Sequence, residues 1–212
     1  DDYGLASAKA LIVPDDAAPG ARPLFEAPEV KLSVPGRKSK DGIAKTSKDL
    51  AEHPWAGAPV KLSLSALDDA KQEGRSPAKA VLLPERIFTN MLAAALIEQR
   101  RLLALDANAK GRVMNLLDAL TIRPEDTIKN PSHFLGLHTA RLRLASSRSD
   151  EQLREVVAYL WEVANVIEDS GLSDAQKRLK QAQENLAKAL ENGASDEEIA
   201  KLTQELREAM NE

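Results

Sequence analysis

His53, His133 and His138 are the only imidazoles this chain offers for acid–base or metal chemistry. The last two stand five residues apart, which on a helix turns the rings away from each other, unlike an i, i+4 zinc pair. Surface or structural roles are expected for all three. Paired carboxylates occur at Asp1-Asp2 and Asp68-Asp69. They could supply oxygens to calcium, but the ligand spacing of a calcium loop is absent, and turn formation accounts for them. Ser149, Ser173 and Ser195 each precede an acidic residue and, at the third position, a Gln or Glu. That is the capping-box pattern, so no nucleophilic serine remains with a positioned His and acid. Glu98 and Glu125 have no evident partner carboxylate, and no glycine-rich phosphate loop occurs. With no cysteine, thiol catalysis and Cys-based zinc sites are excluded. The residues predict no catalytic group, no metal site and no cofactor.

Two kinds of residue remain. Arg100-Arg101 and Arg141-x-Arg143 can meet an anionic partner, or lie on a wet helix face and pair with nearby acids. Trp55, in His53-Pro54-Trp55-Ala56-Gly57, is either a plug for a small β core or an exposed recognition point; burial is the expected state. The net charge is -4, with a mildly basic middle and an acidic tail. Basic patches interleaved with aromatics are missing, so nucleic acid is not an expected partner.

The elements that must hold these residues divide near Pro84. All but two of the 11 prolines lie at or before it, among short apolar runs. Strands are expected at 6–13, 30–34, 60–66 and 79–83, the second and third alternating apolar and polar residues at period two. Asp15-Asp16, Pro35-Gly36 and the polar run 68–74 read as turns. Short strands at this spacing predict an immunoglobulin-like β-sandwich over residues 1–84, incomplete or with unseen pairing between Gly36 and Pro59.

After Pro84 helical periodicity takes over, giving an α-helical part over 85–212 and an α+β fold class. Helices are expected at 90–107, burying Leu92, Leu96, Leu102 and Leu103; at 113–120; in a short turn from Pro124; and from Ser132, as cap, through Leu144. The helix starting at Ser149 buries Leu153, Val156, Val157, Leu160, Trp161, Ala164 and Ile167, and Gly171 is expected to end it in left-handed conformation. Leu172, Ala175, Leu179, Ala182, Leu186 and Ala189, then Ile199, Leu202, Leu206 and Ala209, recur at steps of three and four. These narrow seams predict an antiparallel hairpin of coiled-coil type over 173–211, with Ala allowing close approach. Aromatics make up only 3% of the chain, which favours slim helical packing over a roomy pocket.

The segments Asp1-Asp2-Tyr3-Gly4-Leu5, His53-Pro54-Trp55-Ala56-Gly57, Leu83-Pro84-Glu85-Arg86-Ile87-Phe88, Ile97-Glu98-Gln99-Arg100-Arg101 and Asn165-Val166-Ile167-Glu168-Asp169 resemble large alphaproteobacterial envelope proteins grouped under a domain of unknown function. The resemblance runs through nearly the whole chain. It implies a membrane-anchored parent with transmembrane helices upstream and a long periplasmic region, and it carries over no catalytic residue. Lys71 stands where Gly is common in such turns, and Met91 and Ala93 also depart from the pattern. No apolar run approaches the ~20 residues that span a bilayer, the first residues do not look like a signal peptide, and the last helix shows no stop signal. The expectation is a piece of a longer protein.

The resulting expectation is a non-enzymatic periplasmic segment that acts structurally or binds protein, through a partner or by self-association of its helices. Leu179, Leu186, Ile199, Leu202 and Leu206 are its contact candidates, with Trp55, Arg100 and Arg101 as further interaction residues. The alternative is a cell-wall ligand-binding protein or enzyme using a cleft between the β part and the helices, through Trp55, Glu98, Arg100 and Arg101. A third reading places anionic envelope polymers on Arg100, Arg101, Arg141 and Arg143, with steep salt dependence.

Overall fold

In the computed structural model, which describes residues 5–15, 18–34, 44–172 and 174–210, five strands form one antiparallel sheet and helices follow. The α+β class is thus observed. Strand β1 (Leu5–Pro14) lies along the whole of β3 (Pro59–Asp68), in a register that pairs Pro14 with Val60 and Ala8 with Ala66. Strand β2 (Val30–Leu32) covers the other edge of β1. The second edge of β3 is shared by β4 (Glu73–Arg75) near its end and β5 (Lys79–Leu82) near its start. Among the described residues these strands make a single sheet, and the cover over its apolar face comes from the 50–58 segment. Asp1, Asp2, Asp16, Gly36 and Ser173, to which turns, caps or ligands were assigned above, lie outside the described residues.

The apolar alternation of β3 is longer than the core it serves. Val60 is fully buried against Ile12, Leu50, Trp55, Ala58 and Leu83, with Leu62 half-buried beside them. Farther along, Leu64 is exposed and Ser65 on the opposite face is buried, its hydroxyl donating to Glu73 at 2.8 Å. The apolar face therefore closes only where Trp55 covers it. Between β3 and β4, Asp68 Oδ1 accepts from the Gln72 N–H at 2.7 Å, and Lys71 takes φ +64. The Gly-like position noted at Lys71 is indeed a left-handed one.

The helical part packs α1 (Met91–Leu105), α2 (Lys110–Leu120), α4 (Pro131–Ser146) and α5 (Asp150–Asp169) around Leu96, Leu103, Leu117, Leu137, Leu144, Leu160 and Ile167. A single 3-10 turn, Ala107–Ala109, joins α1 to α2, and α3 (Pro124–Thr127) is one turn long. On α5 the expected stripe is buried except Trp161, which is half-buried, and Val163 joins it. Each buried Leu or Ile contributes roughly 1.5–3 kcal/mol relative to exposure.

Three local expectations are corrected. Asn130, not Ser132, caps α4, its Oδ1 accepting from the Ser132 N–H at 2.9 Å, with Pro131 in the first turn where it lacks no needed donor. Gly171 does not adopt the left-handed conformation; α5 ends through Ser170, whose hydroxyl donates to Ile167 O at 2.7 Å. Strand β4, read as a polar turn, pairs with β3 although all three of its residues are exposed. Ser149 and Ser195 do cap, accepting from the N–H of Gln152 and of Glu198.

Last come α6 (Asp174–Glu191) and α7 (Asp196–Met210), which pack on each other across a connection containing Gly193 at φ +68. No helix among the described residues is long and apolar enough to cross a membrane. The two cores meet at Phe25, which touches both, while its neighbour Leu24 is buried among the helices. The main chain there is tied down by Leu24 N–H to Ala104 O, Ala107 N–H to Arg22 O and Arg154 Nε–H to Leu24 O.

Candidate functional site

The tight turn His53-Pro54-Trp55-Ala56-Gly57 closes on itself before anything else reaches it. Ala56 N–H donates to His53 O at 2.8 Å and Ala58 N–H to Trp55 O at 2.9 Å, while the Trp55 N–H donates to His53 Nδ1 at 3.1 Å. Gly57, at φ +73, then pairs with Leu83 through its N–H at 3.1 Å. These bonds leave the carbonyls of Glu52 and Ala56 without partners inside the turn, and His53 O with room for a second donor.

Two consecutive arginines of α1 take those carbonyls. Arg100, only 5% exposed, donates through Nη2 to Glu52 O at 2.7 Å and through Nη1 to His53 O at 3.3 Å. Arg101 donates through Nη1 to Ala56 O at 3.2 Å and to Glu85 Oε2 at 2.9 Å. Burial draws the Arg100 guanidinium down to about 10, with Glu52 opposing, so it stays charged at neutral pH. A Cβ on Gly57 would fall 1.7 Å from Arg101 Nη1. The turn and the helix are thereby fitted to each other.

A second set of contacts runs from the strand-to-helix linker to the end of α5. Glu168 Oε1 accepts from the Thr89 N–H at 2.8 Å and its hydroxyl at 2.6 Å, and Oε2 accepts from the Asn90 N–H at 2.9 Å. Asn90 is itself the cap of α1, accepting from Leu92 N–H. Arg86 donates to Asn165 Oδ1 and, at 2.9 Å, to Asp169 Oδ1. Asp169 also receives Lys180 of α6 at 2.5 Å. Burial raises both acids, but the donors outweigh it and hold Glu168 and Asp169 below their ordinary values. Between the two sets, Arg86 stacks over Phe88 at 4.9 Å, Phe88 meets Trp161 edge-on at 5.7 Å, and Arg100 covers Trp161 at 4.7 Å.

A family model described as a domain of unknown function, DUF4175, matches residues 1–212. The chain belongs to that family. No curated protein and no solved structure matches it. In this DUF4175 chain, four of the five segments that carried the resemblance are the parts just described, and they converge on one joint between sheet and helices.

The DUF4175 structure brings Trp55, Arg100 and Arg101 together, with Trp55 3% exposed in the sheet core. Glu98 is exposed on α1, where it lines a shallow hollow with Glu85, Arg86, Phe88 and Arg101. Arg141 pairs with Asp118, and Arg143 lies over the Tyr159 ring at 4.1 Å. His138 stacks on Phe134, and His133 reaches Asn130. Among the described residues no group of His and acidic side chains is placed to hold a metal ion. Leu179, Leu186, Ile199, Leu202 and Leu206 all lie half-buried along α6 and α7, whereas Ala182 and Ala189 are buried.

Sequence reasoning missed Arg86, Asn165, Glu168 and Asp169 as joint residues. It also missed a cleft of about 1490 Å³ between residues 47–53, the end of α5 and one face of α6. Its walls mix Phe25, Leu50 and Trp161 with Asn165, Asp169 and Lys180. A signal for Arg100 was present, because it falls on the buried stripe of Ala93, Leu96, Ile97, Leu103 and Ala104.

Proposed function

We propose that this chain is a non-enzymatic structural and protein-interaction segment of a larger membrane-anchored envelope protein, located in the periplasm. The observation that carries the reading is the use made of its reactive-looking residues. Arg86, Arg100 and Arg101 are spent on carbonyls, acids and aromatic faces of the same chain, which is what a fixed joint needs. Periplasmic location and the anchored parent rest on the resemblance of the five quoted segments. In this reading the sheet is one layer of an immunoglobulin-like spacer, and α6 with α7 is an antiparallel coiled-coil hairpin that contacts protein. Its support is the 3-4-3 spacing of Leu179, Ala182, Leu186 and Ala189 and of Ile199, Leu202, Leu206 and Ala209.

The test replaces Leu186 and Leu202 by Asp together and follows circular dichroism and solution mass. Loss of association with the sheet and the α1–α5 core retained is the expected result. Unchanged folding and unchanged association would overturn the assignment.

One observation favours a second reading, a cell-wall ligand held in a cleft between the β part and the helices. The cleft beside Trp161 occupies that place and has apolar and polar walls. Of Trp55, Glu98, Arg100 and Arg101, however, none lines it. Titration with soluble wall fragments, comparing the native chain with Asn165→Ala, separates the readings: saturable binding lost in the variant would support the cleft.

A further inference from the structure

The hairpin of α6 and α7 has two unlike sides. Beside the 3-4-3 seam, Leu179, Leu186 and Leu190 on α6 and Ile199, Leu206 and Met210 on α7 form a second stripe at steps of seven and four. Helical geometry at 100° per residue puts both stripes on the same side of an antiparallel pair, since each is offset from its seam in the same sense while the helices run oppositely. Leu190 is 56% exposed and Met210 67%, the other four are half-buried, and α7 contains no buried residue at all. Gln183 and Thr203 complete the stripe, so it holds no charge, although charged side chains crowd the rest of both helices.

From this pattern we propose that the apolar side of the hairpin docks on the same side of a second copy of this chain, forming a two-fold antiparallel four-helix bundle. The inference rests on the reading of the hairpin as the contact element. A two-fold contact sets a surface against itself, so a face of one charge sign would repel, whereas this uncharged stripe is compatible with its own copy. Pairing within the bundle follows from the net charge of each helix. Helix α6 carries Lys177, Arg178, Lys180 and Lys188 against three acids, while α7 carries Lys201 and Arg207 against five. Opposite net charge sets α6 of one copy beside α7 of the other. The size also suffices. Eighteen residues span about 27 Å, and two helices about 20 Å across give roughly 500 Å² per copy, or about 1,000 Å² in total, the lower bound for a specific contact.

The measurement combines light scattering with cross-linking. The chain has no cysteine, so every disulfide formed is one introduced. Leu179 and Met210 come level across the bundle, on α6 of one copy and α7 of the next. Oxidising an equal mixture of Leu179→Cys and Met210→Cys chains is expected to give mainly the mixed pair. The native chain is expected to reach twice its 23.0 kDa mass, and Leu190→Glu with Met210→Glu to halve that mass while keeping helical circular dichroism. Both substituted residues are exposed, so the fold should survive. A native chain that stays monomeric, a variant that still dimerises, or cross-links only between like chains would each overturn the proposal. The wider reading fails differently, when Leu186→Asp with Leu202→Asp leaves folding and association untouched.

Discussion

Among the described residues Arg100 is the most deeply buried charged side chain. It is buried, donates to two carbonyls and covers Trp161. Arg100→Met removes the donors and takes from the Glu52 carbonyl the bond that Arg100 gives it, so urea unfolding should show a loss of about 2–4 kcal/mol. Glu98→Gln, on the exposed side of the same helix, should change stability by less than about 0.5 kcal/mol. Lys71 offers the opposite sign: at φ +64 a side chain is strained, and Lys71→Gly should raise stability by about 1 kcal/mol in the same assay. His53 gives a pH signature. Burial, then Arg100 and Lys48, lower its pKa, and its Nδ1 accepts the Trp55 N–H only when unprotonated. Because the folded value lies below 6.5, the unfolded chain takes up the proton first. Melting temperature should fall as pH drops through 6.5 and level off below the folded value, and His53→Ala should flatten that step. Glu168 and Asp169, also lowered, act in a separate window, their contribution present above pH 4.5 and lost as pH falls below it.

Among the elements, the helices were readable because their signals are local. The stripe of α5 and the caps at Ser149 and Ser195 need only a few neighbouring residues to make sense. The cap at Asn130 was also there to be read, in the Pro131 that follows it. The strands were harder to judge. In β3 the alternation continues to Leu64 and Ala66, yet only Val60 and Leu62 reach the sheet core, because the covering turn with Trp55, which leads directly into the strand, folds back over its first residues alone. Strand β4 carried no apolar signal at all, and its pairing depends on the turn at Lys71. One element is held by a group no local pattern could reveal: Glu168, at the end of α5, satisfies the N–H groups that open α1. Glu168→Ala should destabilise by about 1–2 kcal/mol and speed hydrogen exchange of Thr89 and Asn90 first.

For the molecule as a whole, the joint was the least legible feature. Its contacts run from Arg22 to Asp106, from Arg86 to Asp169 and from Arg100 to Glu52, and sequence distance hides all three. Of the joint, only Trp55, Arg100 and Arg101 had been singled out, as a Trp in an odd turn and as paired arginines, and their joint role depends on three-dimensional approach. The helix pair α6 and α7, in contrast, was visible in spacing alone, and the structure adds that Leu179, Leu186, Leu202 and Leu206 remain half-covered while Ala182 and Ala189 are buried. On the proposed reading the protein divides into a joint complete within one chain and an arm completed by a second copy. Light scattering of the native chain over a concentration series, at low and at moderate salt, tests that division most directly. The account predicts a mass rising toward twice 23.0 kDa and holding as salt is added, since an apolar contact is little screened. A mass that stays at one chain under every condition would contradict it.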